Sequence, residues 1–436
     1  MYIKRRFIEK LIQWKVNPRR KPLVLQGARQ VGKTWLLKHF GETSFEEVAY
    51  FNFERQSELK QLFIKTKEPV RIIEFLSVIH GRAINPDTTL IIFDEIQECN
   101  EALNALKYFC EEAPEYCIAC AGSLLGVALR RGNNSFPVGK VHFLHVHPVT
   151  FLEFLETVDK SLSDYLEGIN KFEAIPDILF SRIVDIYKKY YLSGGMPEAI
   201  VSLLEQGIEG VQETLEDILL TYSLDFSKHI ETKEIPKINY IWNSLPSQLA
   251  RENKKFLYQT VKSGARAREY EDALQWLVNA GLVYRIHRCS KPSLPLSAYD
   301  DLSAFKIYVV DVGLLRKLSN LLPTALTEGN RLFTEFKGAL TENYILESLS
   351  VQFGDLRYWT SERSAEVDFL IPFENEIIPV EVKSDIHTIS RSLTLYRQRY
   401  SPPISIRFSL KNLKRDADLI NIPLFMADLT HKLISF

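Results

Sequence analysis

Between Gly27 and Thr34 the chain reads GARQVGKT, which satisfies GxxxxGK[ST] in full. The pattern is chemical. Backbone amides of Gly27, Ala28, Arg29, Gln30, Val31 and Gly32, with the N-terminus of a following helix, would offer donors and a positive dipole end to phosphates. Lys33 would bridge β- and γ-phosphate oxygens, and Thr34 would ligate Mg²⁺. Leu23-Val24-Leu25 before the loop reads as a strand and Trp35-Leu36-Leu37 after it as a helix. That context separates a phosphate loop from a mere glycine turn.

A second stretch, LIIFDE, ends an apolar run on Asp94 and Glu95, with Asp94 lying 61 residues beyond Lys33. Asp94 would hold Mg²⁺ through water. Glu95 would orient and polarise an attacking water as general base. EVAYFNF, residues 47–53, fits between the two motifs as a further strand. That spacing suits hydrolysis over mere storage of nucleotide. Ser123 closes a third apolar run, YCIACAGS, and is a candidate polar sensor of the γ-phosphate or the water, set against a plain helix N-cap. Arg130 and Arg131 follow as candidate arginine fingers, with a solvated helix end as the equal alternative. His145 and His147 read as structural or surface groups. Cys117-x-x-Cys120 lacks a second cysteine pair and reads as buried core.

Alternation of buried strands with helices over the first 150 residues predicts a parallel sheet covered on both faces. PVRIIEFLSVIHG has helical apolar spacing at Val70, Ile73, Phe75 and Leu76. From about residue 150 the pattern turns helical, through FLEFLETV, ILFSRIVDIYKKYYLSGG and EGVQETLEDILLTYSL, as a helical lid would. Residues 233–315 mix helices with two strands, GLVYRIHRC and KIYVVD. From about 330 a long helix, EFKGALTENYILESLSVQF, precedes the strands RYWTS, EVDFLIPF and IIPVEVKS.

Lys plus Arg number 54 against 55 Asp plus Glu, so no whole-chain attraction to nucleic acid or anionic lipid is expected. No window nears eighteen apolar residues, and the N-terminal MYIKRRFIEKLIQWK lacks the apolar stretch of a signal peptide. The five cysteines, an odd number, suit reduced thiols. A cytoplasmic protein off the membrane is expected.

GARQVGKT, LIIFDEIQE, AGSLLGVAL, HPVTFLEFL and YLSGGMPEAI together resemble a widespread prokaryotic group of AAA-superfamily ATPases with a C-terminal domain of unknown function. The resemblance runs from about residue 5 to 385. It implies an α/β P-loop NTPase core, ATP binding, a helical lid, a winged-helix-like middle and an α/β endonuclease-like end. Lys140 stands where an arginine is common in that group. The expected division is a core at 1–150, a lid at 151–232, a winged-helix-like part at 233–326 and an endonuclease-like part at 327–436, its boundary near Thr327 to Arg331.

The C-terminal part resembles restriction-endonuclease-like folds in its D-x12-E-x-K pattern, Asp368, Glu381 and Lys383. Glu381 and Lys383 are two apart on a strand and share a face. Asp368 on the partner strand can approach them, and Glu342 on the preceding helix can complete the group. Glu342, Asp368 and Glu381 would bind a second Mg²⁺, with Lys383 steadying charge. In a metal-free cluster, Lys383 is expected as the counter-charge. Residues 245–290 hold eight Lys/Arg against four Asp/Glu, and Arg266 and Arg268 open a helix there. DNA is therefore a candidate partner. The expected function is Mg²⁺-dependent ATP hydrolysis coupled to nucleic-acid remodelling or cleavage. The alternative is an ATP-dependent switch whose C-terminal part binds a protein partner without nuclease activity; a homo-oligomer is a further candidate partnership.

Overall fold

The computed structural model describes residues 2–123, 139–229, 232–251, 254–323, 331–361, 365–384 and 391–435. It divides into two bodies: Arg5–His147 with Asn279–Gly281, and the remainder. Arg130, Arg131 and most of AGSLLGVAL lie outside the described residues.

The first body is a parallel sheet with flanking helices. Its strands are β1 (Leu23–Gln26), β2 (Glu47–Asn52), β3 (Thr89–Asp94), β4 (Cys117–Ala121) and β5 (His142–His145). They lie in the order β2-β3-β4-β1-β5, every pair parallel. The three central strands are short apolar runs because helices shield both faces. The helices are α1 (Phe7–Val16), α2 (Lys33–Ser44), α3 (Glu58–Lys65), α4 (Pro69–His80) and α5 (Asn100–Glu112). Phe53, Phe63 and Phe93 meet ring to ring at 5.5–5.7 Å. Each is fully buried, a contribution of roughly 2–3 kcal/mol apiece. This knot anchors β3 one residue before Asp94.

The buried face of α4 differs from the expected one. Ile72, Ile73 and Leu76 are buried, while Val70 and Phe75 are 70% and 53% exposed. Pro69 at the first turn sets the helix, and residues 72, 73 and 76 form the stripe that faces the core. Cys117 and Cys120 are buried in β4, as their apolar context predicts.

The second body begins with helices: α6 (Phe151–Val158), α7 (Lys160–Gly168), α8 (Asp177–Ser193) and α9 (Pro197–His229). Thr150 and Glu153 start α6 with a reciprocal capping box. Gly207 kinks α9 at φ +79°. Then come α10 (Ile235–Leu249), α11 (Tyr258–Val261) and α12 (Ala267–Asn279), followed by the hairpin β6 (Val283–Cys289) and β7 (Asp300–Val309). α13 (Val312–Leu318) and α14 (Arg331–Phe353) lead to β8 (Arg357–Thr360), β9 (Glu366–Phe373) and β10 (Glu376–Val382). α15 (Arg391–Tyr400), β11 (Ser405–Ser409), β12 (Lys414–Asp416), β13 (Leu419–Pro423) and α16 (Thr430–Ile434) complete the chain.

Among the described residues the eight later strands form one mixed sheet, β12-β13-β11-β10-β9-β8-β6-β7. The residues expected as separate units, 233–326 and 327–436, therefore contribute to the same sheet. The seam is β6 running parallel to β8, with His287 opposite Arg357, and Arg357 Nε donates to Asp300 Oδ1 at 2.6 Å. A hairpin carries unpaired edges, and β8 covers one of them. No described helix is long and apolar enough to cross a membrane.

His147 ends the first body's chain beyond β5, and burial pushes its imidazole down to about 3 from an ordinary 6.5. The unfolded chain takes up that proton near pH 6.5, whereas the folded body refuses it until about pH 3. Stability is therefore complete above pH 6.5 and is lost as pH falls toward 3. In His147→Phe, urea unfolding of this body should lose about 2 kcal/mol less than the parent between pH 6.5 and pH 5. Equal losses would remove His147 from the acid sensitivity.

Candidate functional site

β1 delivers the chain to Gly27 at φ +137°, where a Cβ would sit 2.2 Å from the carbonyl oxygen of Val146. Only glycine fits that approach. Gly32, at φ +93°, turns the loop into α2. Arg5 ties the loop to the sheet: its guanidinium donates to the carbonyls of Val31 at 3.1 Å and His147 at 2.7 Å. The turn at residues 279–281 belongs to this body as well. A Cβ on Gly281 would lie 3.3 Å from the backbone nitrogen of Ala28.

Lys33 is the first residue of α2 and is buried. Its ammonium donates to the carbonyls of Gly27 and Ala28 at 2.9 and 2.7 Å. Burial pulls it down to about 8, and the charges of Glu95 and then Asp94 push it back up. Thr34 Oγ1 donates to Asp94 at 3.0 Å, so the two groups expected to share a cation are adjacent. Tyr50 on β2 donates to the same carboxylate at 2.6 Å. Burial, and then that bond, push the Tyr50 phenol up to about 12. Asn52, beside Asp94 in register, donates to Tyr50 at 3.3 Å.

Glu95 leaves β3 in the left-handed region, φ +49°. Its Oε2 accepts from the backbone amide and the hydroxyl of Ser123, each at 3.1 Å, and from the Gln97 amide at 2.6 Å. Strand order explains the meeting: β4 lies between β1 and β3, so Ser123 emerges between the loop and the acids. Lys33, Thr34, Asp94, Glu95 and Ser123 come together at one edge of the sheet. The donor set suits a nucleotide phosphate with its cation. Loop amides and an ammonium would meet the anion, and a hydroxyl beside a carboxylate matches an oxygen-seeking metal. Sequence reasoning missed Tyr50, Asn52 and Gln97, of which only Gln97 lay inside a motif.

The second cluster differs from the expected one. Glu342 on α14 accepts from Lys254, from Tyr308 and, at 3.3 Å, from Lys306. Lys306 is fully buried on β7, also pairs with Glu366, and sits 4.9 Å from the Tyr358 ring centre. Burial favours a neutral Glu342, yet Lys254 and Lys306 hold it down to about 2. Asp368 accepts from the amide of Val382 at 2.7 Å, and burial, with the Glu342 charge, pushes it up to about 7. Glu381 pairs with Lys383 at 3.0 Å and lies opposite Arg407 of β11. Among the described residues no three His, Cys, Asp or Glu side chains are grouped to hold a metal. Glu342 and Asp368 come together with Lys254 and Lys306 as counter-charges that were not expected, while Lys383 pairs with Glu381. The signal was present: Lys306 opens the apolar run KIYVVD, and a buried strand charge requires a partner.

Residues 19–155 match the family described as an AAA domain. Residues 184–325 match a domain of unknown function, DUF8612, and residues 337–425 another, DUF4143. The chain is similar to the Walker-type ATPase PABY2304 of Pyrococcus abyssi at 16% identity, covering 73% of this chain and 96% of that one, with a TM-score of 0.46. The ORC2 protein of Aeropyrum pernix shares 14% identity over 76% and 95% of the two chains, TM-score 0.36. The RuvB Holliday junction branch migration motor of Thermotoga maritima shares 12% over 65% and 90%, TM-score 0.30. No curated protein matches the chain. The sheet and the loop agree with the AAA match over residues 19–155: the first body has a P-loop NTPase fold, α/β in class, and a mixed-sheet region follows it.

Lys306→Met keeps the shape of the buried stem and removes its charge. It should cost about 3–5 kcal/mol of stability, because Glu342 and Glu366 lose a buried partner. An unchanged urea midpoint would show that Lys254 suffices.

Proposed function

We propose that this protein binds ATP with Mg²⁺ and hydrolyses it. The observation that carries the reading is Glu95 fixed by Ser123 beside Lys33, in a pocket whose other acid, Asp94, touches Thr34. Loop amides and Lys33 bind and orient the phosphates. Thr34 and Asp94 would hold the cation, which when bound supplies charge neutralisation at the phosphate oxygens. Glu95 takes a proton from water as the water oxygen attacks the γ-phosphorus, and the bond to the ADP oxygen breaks. Ser123 keeps the base aimed.

For the later sheet we favour the switch: nucleotide turnover regulates a surface that binds a protein partner or a second copy of the chain. The observation behind this choice is the pair of ammoniums on Glu342, Lys306 fully buried and Lys254 partly so, which answer that acid of the expected nuclease site from within the fold. The match to an AAA domain supports the ATPase half alone.

Lys33→Ala should abolish ATP binding or turnover. Glu95→Gln should bind ATP normally and hydrolyse it roughly 10²–10⁴-fold more slowly. Parent-like turnover in either variant sinks the assignment. The pure protein should not nick plasmid DNA with Mg²⁺ or Mn²⁺. Nicking that disappears in Lys383→Ala would restore the nuclease reading.

A further inference from the structure

Gln97 sits on a single 3₁₀ turn, Ile96–Glu98, directly after Glu95. Two features hold that turn in place. Ile96 is fully buried in the core beneath it, and the amide of Glu98 donates to the Glu95 carbonyl at 3.0 Å. The left-handed backbone at Glu95 reverses the chain, and the Gln97 amide comes back to the Glu95 carboxylate at 2.6 Å. That is a short, charge-assisted bond. It shares Oε2 with the two Ser123 donors. Oε1 accepts no hydrogen bond among the described residues.

We propose that Gln97 is a positioning residue for hydrolysis: with Ser123 it saturates Oε2 of Glu95, so that Oε1 is the oxygen presented to the attacking water. This deepens the hydrolysis reading above and rests on it. The physical reason is orientation. A glutamate has three rotatable side-chain bonds, and a base left free to turn spends much of its time misdirected. Ser123 donates from one side of Oε2, from the end of β4. The Gln97 amide donates from the turn that follows Glu95 itself. Two anchors on separate elements fix a carboxylate where one lets it swivel. The orientation of the Gln97 amide is also determined, because an oxygen placed at 2.6 Å from the carboxylate would be repelled.

The test compares steady-state ATP turnover, binding of a fluorescent ATP analogue and pH–rate profiles for the parent, Gln97→Ala and Gln97→Glu. In Gln97→Ala, kcat should fall about ten-fold, the loss of one bond to a charged group, while analogue affinity stays within about two-fold. In Gln97→Glu a second carboxylate faces the first, so the acidic limb of the pH–rate profile should move up by about one pH unit. A residue that merely braced the turn would weaken binding along with kcat and leave the limb in place. Parent-like kcat in Gln97→Ala, a parallel loss of affinity, or an unmoved limb in Gln97→Glu each overturns the proposal. If the parent itself turns over no ATP, the hydrolysis reading fails and this inference with it. If the parent turns over ATP and Glu95→Gln does not, while Gln97→Ala matches the parent, Gln97 alone is dismissed.

Discussion

A desolvated ammonium must be answered by oxygen atoms, and in each body such a group organises what surrounds it. In the first body Lys33 is turned onto the carbonyls of Gly27 and Ala28, with the fields of Glu95 and Asp94 opposing its loss of charge. The loop backbone, the end of β3 and the start of α2 must therefore meet at one point. In the second body Lys306 draws Glu342 from α14 and Glu366 from β9 to a strand of the preceding hairpin. The same physics gives opposite results. Lys33 is held by carbonyl dipoles, which an anion can replace. Lys306 is held by carboxylates, which close the site.

Strand order turns the first arrangement into a machine part. With β4 placed between β1 and β3, the ends of three strands carry the phosphate loop, Ser123 and the acid pair to the same edge of the sheet. Ligands bind at such an edge because helix N-termini and strand ends converge there. The knot of Phe53, Phe63 and Phe93 packs the end of β3 one residue before Asp94. Arg5 and the Gly281 turn brace the loop from chain segments far apart in sequence.

The mixed sheet brings the motif partners that lie outside it. Asp368 and Glu381 stand on adjacent strands and Lys383 directly follows β10, in keeping with a D-x12-E-x-K pattern. Yet the partners of Glu342 come from residues 254, 306 and 308, which that pattern does not include. A pattern within one hairpin says nothing of a cation arriving from another strand of the same sheet.

The sequence by itself determined the phosphate loop, the acid pair, the alternation of the first body and most strand positions. These are local properties: a glycine spacing, an apolar run, a helical period. It also named Ser123, because a polar residue closing a buried strand is a visible break. On α4 the expected Ile73 and Leu76 are buried, but Val70 and Phe75 face outward and Ile72 takes the core position, since these residues are all apolar enough for either face and only packing selects among them. Tyr50, Asn52, Lys254 and Lys306 owe their roles to neighbours 36 to 88 residues away. Tyr50 and Asn52 meet Asp94 because β2 pairs with β3, and Lys306 meets Glu342 because β6 and β7 join the later sheet. Strand pairing between distant segments has no local signature, so only the tertiary structure decided which charges answer one another.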